Sequence, residues 1–288
     1  MIAKPSKISC IFFTIIVWLG RLLFEIRWLY IDAFHCKFRK FDKFRELHDI
    51  FDSCDERTLV TFDVDGTLIT SIDLLGRYLD YSLILAALTY SSIIFNRSKF
   101  DWVQSMLFQY PERFVFDHDV VHMIKKLQQK KCKILALTSL ETGSLGVISD
   151  MAGWRFTMLK SFGIDFSGQF QNTTFTTFVR YRDNYPVLYN GVLLANLQPK
   201  GAVLGAFLDQ CHVRLSRIVS IDNEAGNLDS IAHECARRKI SFSGYQCTSV
   251  EKLPWHWSNQ RALLQFNALM QHKRWISDNV ADHMLVEK

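Results

Sequence analysis

No Cys-x-x-Cys pair occurs among the seven cysteines (Cys10, Cys36, Cys54, Cys132, Cys211, Cys235, Cys247), so the sequence implies neither a zinc site nor a dense disulfide framework. Their odd number leaves at least one thiol unpaired. The histidines, among them His118, His122, His212 and His233, show no metal-ligand spacing. No internal repeat or low-complexity tract is present. Charge excess is small: a net +5 suits anionic substrates but is no footprint of nucleic-acid binding, and no nucleic-acid partner is expected. A membrane-spanning run is lacking too. The uncharged stretch 8–20, between Lys7 and Arg21, falls short of the roughly 18 apolar residues that a span needs.

What is there is a globular balance, 49% hydrophobic and 22% charged, in 288 residues. That length suits one large domain with small insertions. Lys4 and Lys7 ahead of residues 8–20 match the basic and apolar regions of a secretory signal, although Trp18 makes a poor cleavage site. Apolar residues continue to Ile31, so an uncleaved anchor or interfacial helix fits as well, and a buried N-terminal helix is the plain alternative. The expectation is a signal peptide or membrane anchor over residues 1–31, with membrane contact through 8–31. The remainder would then be exported, periplasmic or secreted, or held at a membrane, rather than cytoplasmic.

Phe38, Phe41, Phe44 and Leu47 recur at helical spacing among basic residues, which predicts an amphipathic helix over 37–49 with its aromatic stripe on the core. Beyond it, strands are expected at 59–64, 133–137, 217–221 and 240–245. Helices are expected at 71–110, 117–130, 143–162, 201–209 and 227–238, and a hairpin within 168–194 around Asp183-Asn184. Strands separated by helices of this length predict an α/β fold, a parallel sheet covered by helices on both faces. In such sheets chemistry collects at the carboxyl ends of the strands.

Three apolar runs end in polar groups: 60–62 at Asp63, 134–137 at Thr138-Ser139, and 218–221 at Asp222-Asn223. Asp63 and Asp65, one residue apart in Asp63-Val64-Asp65-Gly66-Thr67, are costly neighbours unless a cation or phosphoryl group lies between them. One carboxylate could attack, the other could handle protons, and a metal could hold both. A solvated acidic turn is the bland alternative. Lys200, in Pro199-Lys200-Gly201, stands at a helix start, where it can reinforce anion binding.

In their order, Asp63-Val64-Asp65-Gly66-Thr67, Thr138, Lys200 and Asp222 resemble the four motifs of the haloacid dehalogenase-like hydrolase superfamily, over residues 57–245. Residues 162–167, 189–192, 200–204 and 275–278 are similar to an uncharacterised bacterial subfamily whose members commonly carry export signals. The resemblance implies a Rossmann-like domain over 41–288, with cap insertions at about 71–111 and 168–195. It implies a Mg²⁺-dependent phosphatase acting on a small phosphorylated substrate through an aspartyl-phosphate. Asp63 would be the nucleophile and Asp65 the acid and base. Thr138 and Lys200 would hold the phosphoryl group, with Mg²⁺ on Asp63, the Asp65 carbonyl and Asp222. Asp65 argues against dehalogenation, because a halide leaves without a proton.

Asn223 stands where an Asp is common, which implies weaker metal affinity. No Arg or Lys closely follows Ser139, so Lys200 is expected to be the main cation. Arg180, Tyr181, Arg182 and Tyr185 are candidate substrate contacts on the second insertion. The alternative to an enzyme is a non-catalytic secreted or membrane-attached protein that uses the fold for binding.

Overall fold

The computed structural model describes residues 38–77, 97–254 and 258–286. The expected signal or anchor (1–31) and the middle of the first insertion lie outside the described residues. Among the described residues, no helix is long and apolar enough to cross a membrane.

The chain enters through β1 (Arg39–Phe41), a 3₁₀ turn (Phe44–Leu47) and α1 (His48–Asp52), then forms β2 (Thr58–Phe62). β3 (Ile69–Ser71) and α2 (Leu74–Arg77) lead into the first insertion, and α3 (Arg97–Gln109) and β4 (Arg113–Val115) lead out of it. There follow α4 (Asp119–Gln129), β5 (Lys133–Thr138), α5 (Met151–Ser161), β6 (Thr173–Thr174), β7 (Val187–Tyr189) and β8 (Val192–Leu194). The last part comprises α6 (Lys200–Gln210), β9 (Arg217–Asp222), α7 (Ala225–Arg238), β10 (Ser241–Cys247), α8 (Asn259–His272) and α9 (Asp278–Val286).

One eight-stranded sheet, ordered β1-β10-β9-β2-β5-β8-β7-β6, runs through the molecule, and β3 pairs β4 in a separate ribbon. β1, β10, β9, β2, β5 and β8 pair in parallel, while β7 and β6 are antiparallel. The fold is therefore α/β with a mostly parallel central sheet. Val60, Phe62, Ile134, Ala136, Val219 and Ile221 face the layer of α4 and α5, whereas Leu59, Leu135, Leu137 and Ile218 face α6 and α7. Burial on both faces explains why the strands read as continuous apolar runs. β2 lies at the switch point: the chain moves from it to β5 on one side, and returns to β9 on the other.

Several expectations are corrected. The 37–49 stretch is a strand, a 3₁₀ turn and a short helix. Phe41, Phe44 and Leu47 are still buried, because Phe41 closes the sheet edge against Cys247 and a 3₁₀ turn eclipses residues i and i+3. Of the helix expected over 71–110, Leu74–Arg77 and Arg97–Gln109 are helical, Ser71 belongs to β3, and 78–96 lie outside the described residues. Residues 143–150 are loop, and α5 begins only after Asp150, whose carboxylate accepts from Ala152 N and Gly153 N. The 168–195 segment does make a tight turn at Arg182-Asp183, both at positive φ. Its strands β6, β7 and β8, however, form the far edge of the main sheet instead of a body standing over it.

The C-terminal helices α8 and α9 bury Leu264, Ala268, Ile276 and Ala281 in a cluster of their own. They grip the root of the first insertion by reciprocal capping. Asp73 accepts from Asp278 N (2.9 Å) and Trp275 Nε1 (2.8 Å), while Asp278 accepts from Leu74 N (3.1 Å) and Gln265 Nε2 (2.9 Å). Each carboxylate thus satisfies the first amides of the other's helix. Asp278→Ala should lower unfolding free energy by about 1–3 kcal/mol, because it orphans two part-buried donors. Urea denaturation followed by far-UV circular dichroism checks this, and an unchanged midpoint would contradict it.

Candidate active site

Asp63 follows β2 directly, and its amide donates to Ile221 O (2.8 Å), which fixes it against β9. Asp222 ends β9, and Lys200 begins α6. All three side chains are buried, and they meet. Lys200 Nζ lies 2.6 Å from Asp63 Oδ1 and 2.7 Å from Asp222 Oδ2. Asp222 Oδ1 also accepts from Glu224 N (2.9 Å) and Asn227 Nδ2 (3.1 Å), which orients it from the start of α7. The sequence pattern had placed these residues on one rim, and the structure brings them into contact.

Two buried carboxylates share one buried ammonium, which leaves a net negative charge once both are ionised. Burial pushes the Asp63 carboxyl up to about 7, with Asp222 and Asp65 pushing the same way and Lys200 opposing. Burial also raises Asp222 above the ordinary carboxylate range, against the pull of Lys200. Lys200 meets the opposite balance: burial disfavours its charge, but the two carboxylates outweigh burial and hold its pKa above the ordinary value.

Asp65 stands at the opening, with its side chain 43% exposed. Behind it lies Arg155 from α5, fully buried, donating Nη1 to Oδ1 (3.0 Å) and Nη2 to Oδ2 (2.7 Å). Lys200, expected as the main cation, is therefore joined by a second one among the acids. Arg155 sits 90 residues from Asp65, so no local pattern could announce the pair. The available signal was weak: a single Arg on an otherwise apolar face of α5, among Met151, Ala152 and Leu159.

Arg113, on β4, is a second arginine within electrostatic reach of Asp65. Its guanidinium donates to Leu107 O and Pro111 O (3.2 Å each) and to Phe108 O, closing the end of α3. Burial lowers its pKa to about 10, Arg155 adding to that and Asp65 opposing it.

Thr138 ends β5, beside β2, and is buried. Its Oγ1 accepts from Leu140 N (3.3 Å), which leaves its own proton to donate. Among the described residues, no hydrogen bond joins Thr138 to Asp63. Asn223 is turned aside: its Oδ1 accepts from Thr67 Oγ1 (3.4 Å), and its carbonyl accepts from Gln246 Nε2 (3.1 Å). Its amide packs over Gly66, where a Cβ would come within 2.8 Å of Nδ2, at a backbone φ of +85° that also favours glycine.

The candidate contacts on the second insertion are engaged elsewhere. Arg180 Nε donates to Tyr185 Oη (2.9 Å), and Arg182 lies 2.8 Å from Asp101 and 2.9 Å from Glu141. A cavity of about 420 Å³, lined by Thr142, Asp150, Asn184, Tyr185 and Tyr189, includes none of Asp63, Asp65, Lys200 and Asp222.

A family model described as "Protein of unknown function (DUF2608)" matches residues 40–282, which include every one of these side chains. The chain belongs to the DUF2608 family. Similar to this DUF2608 chain is "Uncharacterized protein RP296" of Rickettsia prowazekii (strain Madrid E), 23% identical over 239 residues, 83% of this chain and 87% of that protein. An uncharacterized protein of Rickettsia felis is 25% identical over 195 residues, 65% of this chain and 66% of that protein. No solved structure matches.

Proposed function

We propose that the protein is a Mg²⁺-dependent phosphomonoesterase of the haloacid dehalogenase-like type, with Asp63 as nucleophile. One observation carries the reading: Asp63, Lys200 and Asp222 form a buried contact group at the carboxyl edge of the sheet, with Asp65 at its mouth. A nucleophile, a phosphate-neutralising cation and an acid/base are thus side by side.

In the first half-reaction, an Asp63 carboxylate oxygen bonds to phosphorus and the ester P–O bond breaks. Asp65 delivers a proton to the departing oxygen. Water then attacks the aspartyl-phosphate, the P–O bond to Asp63 breaks, and Asp65 takes the water's proton. The products are an alcohol and inorganic phosphate, with both carboxylates restored. Lys200 offsets phosphoryl charge throughout, and the Thr138 hydroxyl donates to a phosphoryl oxygen. Such preorganised charge is the main source of rate in phosphoryl transfer.

Among the described residues, no group of three His, Cys, Asp or Glu side chains makes a metal cage. Mg²⁺ asks for less from a protein, often one or two carboxylates with waters. Asp63, Asp222 and the Asp65 carbonyl offer hard oxygens of that kind. The buried negative excess, with Asp63 raised to about 7, is the electrostatic fit to a divalent ion. A bound ion would supply positive charge against the phosphoryl oxygens. Asn223, held by Thr67, adds no charge to that set.

The test is a panel of phosphate monoesters with purified protein. Turnover should require millimolar Mg²⁺ and stop with EDTA, and fluoroberyllate should inhibit by occupying Asp63. A folded protein that hydrolyses none of the panel and binds neither Mg²⁺ nor fluoroberyllate would instead support a binding role.

A further inference from the structure

Arg155 is expensive where it stands. Its side chain is wholly buried, and its Nε has no hydrogen-bond partner among the described residues. Met158 Sδ lies 3.8 Å from Nη1, the Trp154 ring centroid is 5.0 Å from Cζ, and the like charge of Arg113 is within electrostatic reach. The position is nevertheless well determined. Asp150 caps α5, and Met151 N donates to Gly143 O (2.8 Å), which anchors the helix to the loop that follows β5. Among the described residues, the carboxylate that pairs with Arg155 is Asp65, met in a planar fork that sets carboxylate orientation as well as charge.

We infer that Arg155 is the positioning residue for Asp65, fixing the carboxyl plane so that one oxygen always faces the leaving group or the attacking water. The inference rests on the phosphomonoesterase reading. The fork occupies one side of the carboxylate and leaves its other lone pairs toward the opening, so the carboxyl plane keeps its direction through both half-reactions. Arg155 itself is shielded behind Asp65 and does not touch the substrate, so it acts through Asp65 alone.

Leaving-group dependence tests this. An alkyl phosphate needs a well-aimed proton on its departing oxygen, whereas p-nitrophenyl phosphate expels a stable anion without one. In Arg155→Lys and Arg155→Met, the ratio of kcat/KM for p-nitrophenyl phosphate to that for an alkyl phosphate should rise about tenfold or more. Asp65→Asn should raise it similarly, and Arg155→Met added to Asp65→Asn should change it by less than about twofold, since the two residues act as one unit. Lys keeps the charge and loses the fork, and it serves if the Met variant fails to fold, with Tm recorded for every variant. A folded Arg155 variant that slows both esters equally, additively with Asp65→Asn, overturns the inference and leaves the phosphatase reading intact. A wild type that hydrolyses neither ester overturns that reading, and the inference with it.

Discussion

Asp63→Asn should abolish turnover while raising Tm by about 5 °C at pH 8 without divalent ions. The loss of activity is expected to be at least about 10³-fold, as for removal of a nucleophile. The gain in stability follows from linkage. Asp63 titrates near 7 in the folded protein and ordinarily at 3.8. Between those values the folded state holds a proton that the unfolded chain has released, so stability falls as pH rises from about 4 to about 7 and stays lowered above that. Asn carries no charge to bury and can still accept from Lys200. The advantage of the variant should narrow at pH 5, and added Mg²⁺ should reverse it by stabilising only the wild type. Calorimetry at pH 5 and pH 8, with and without Mg²⁺, reads all of this. A lower Tm for the variant at pH 8 without metal would refute the charge imbalance.

Lys200→Met should have the opposite effect, destabilising the protein by about 3–5 kcal/mol at pH 8, because two buried carboxylates lose the cation they share. Lys200 is held charged by Asp63 and Asp222, so the wild type keeps this contribution across the working range. The deficit should shrink toward pH 5, where the raised carboxyls of Asp63 and Asp222 take up protons in place of the ammonium. Adding Asp63→Asn to Lys200→Met should recover part of the loss. Urea denaturation of the single and double variants at both pH values decides it, and an equal loss at pH 5 and pH 8 would count against the shared-charge account.

The strand ends were legible in the sequence because a doubly covered parallel sheet writes itself as short apolar runs, each stopping at a polar rim. Asp63, Thr138 and Asp222 follow from that rule, and Lys200 from its place at a helix start. The spacing of Phe38, Phe41 and Phe44 misled, since a strand entering a 3₁₀ turn can bury residues three apart as a helix does. The 168–195 stretch read correctly as extended, but nothing local says which sheet an extended segment joins. Arg155 was out of reach for a similar reason: its meaning lies in a partner across the fold. Helices α8 and α9 went unread, and part of their buried surface forms a separate cluster of Leu264, Ala268, Ile276 and Ala281.

The reciprocal caps between Asp73 and Asp278 set an order on the birth of the molecule. Leu74 N waits for an acceptor 204 residues downstream, so the root of the insertion, already joined by the β3–β4 ribbon, gains its second latch only once Asp278 has been made. The central strands, complete at Cys247, can pair before that. A nascent chain can therefore carry an assembled sheet and a paired β3–β4 ribbon before these caps form, and a stop codon between α8 and α9 would leave Leu74 N without its acceptor.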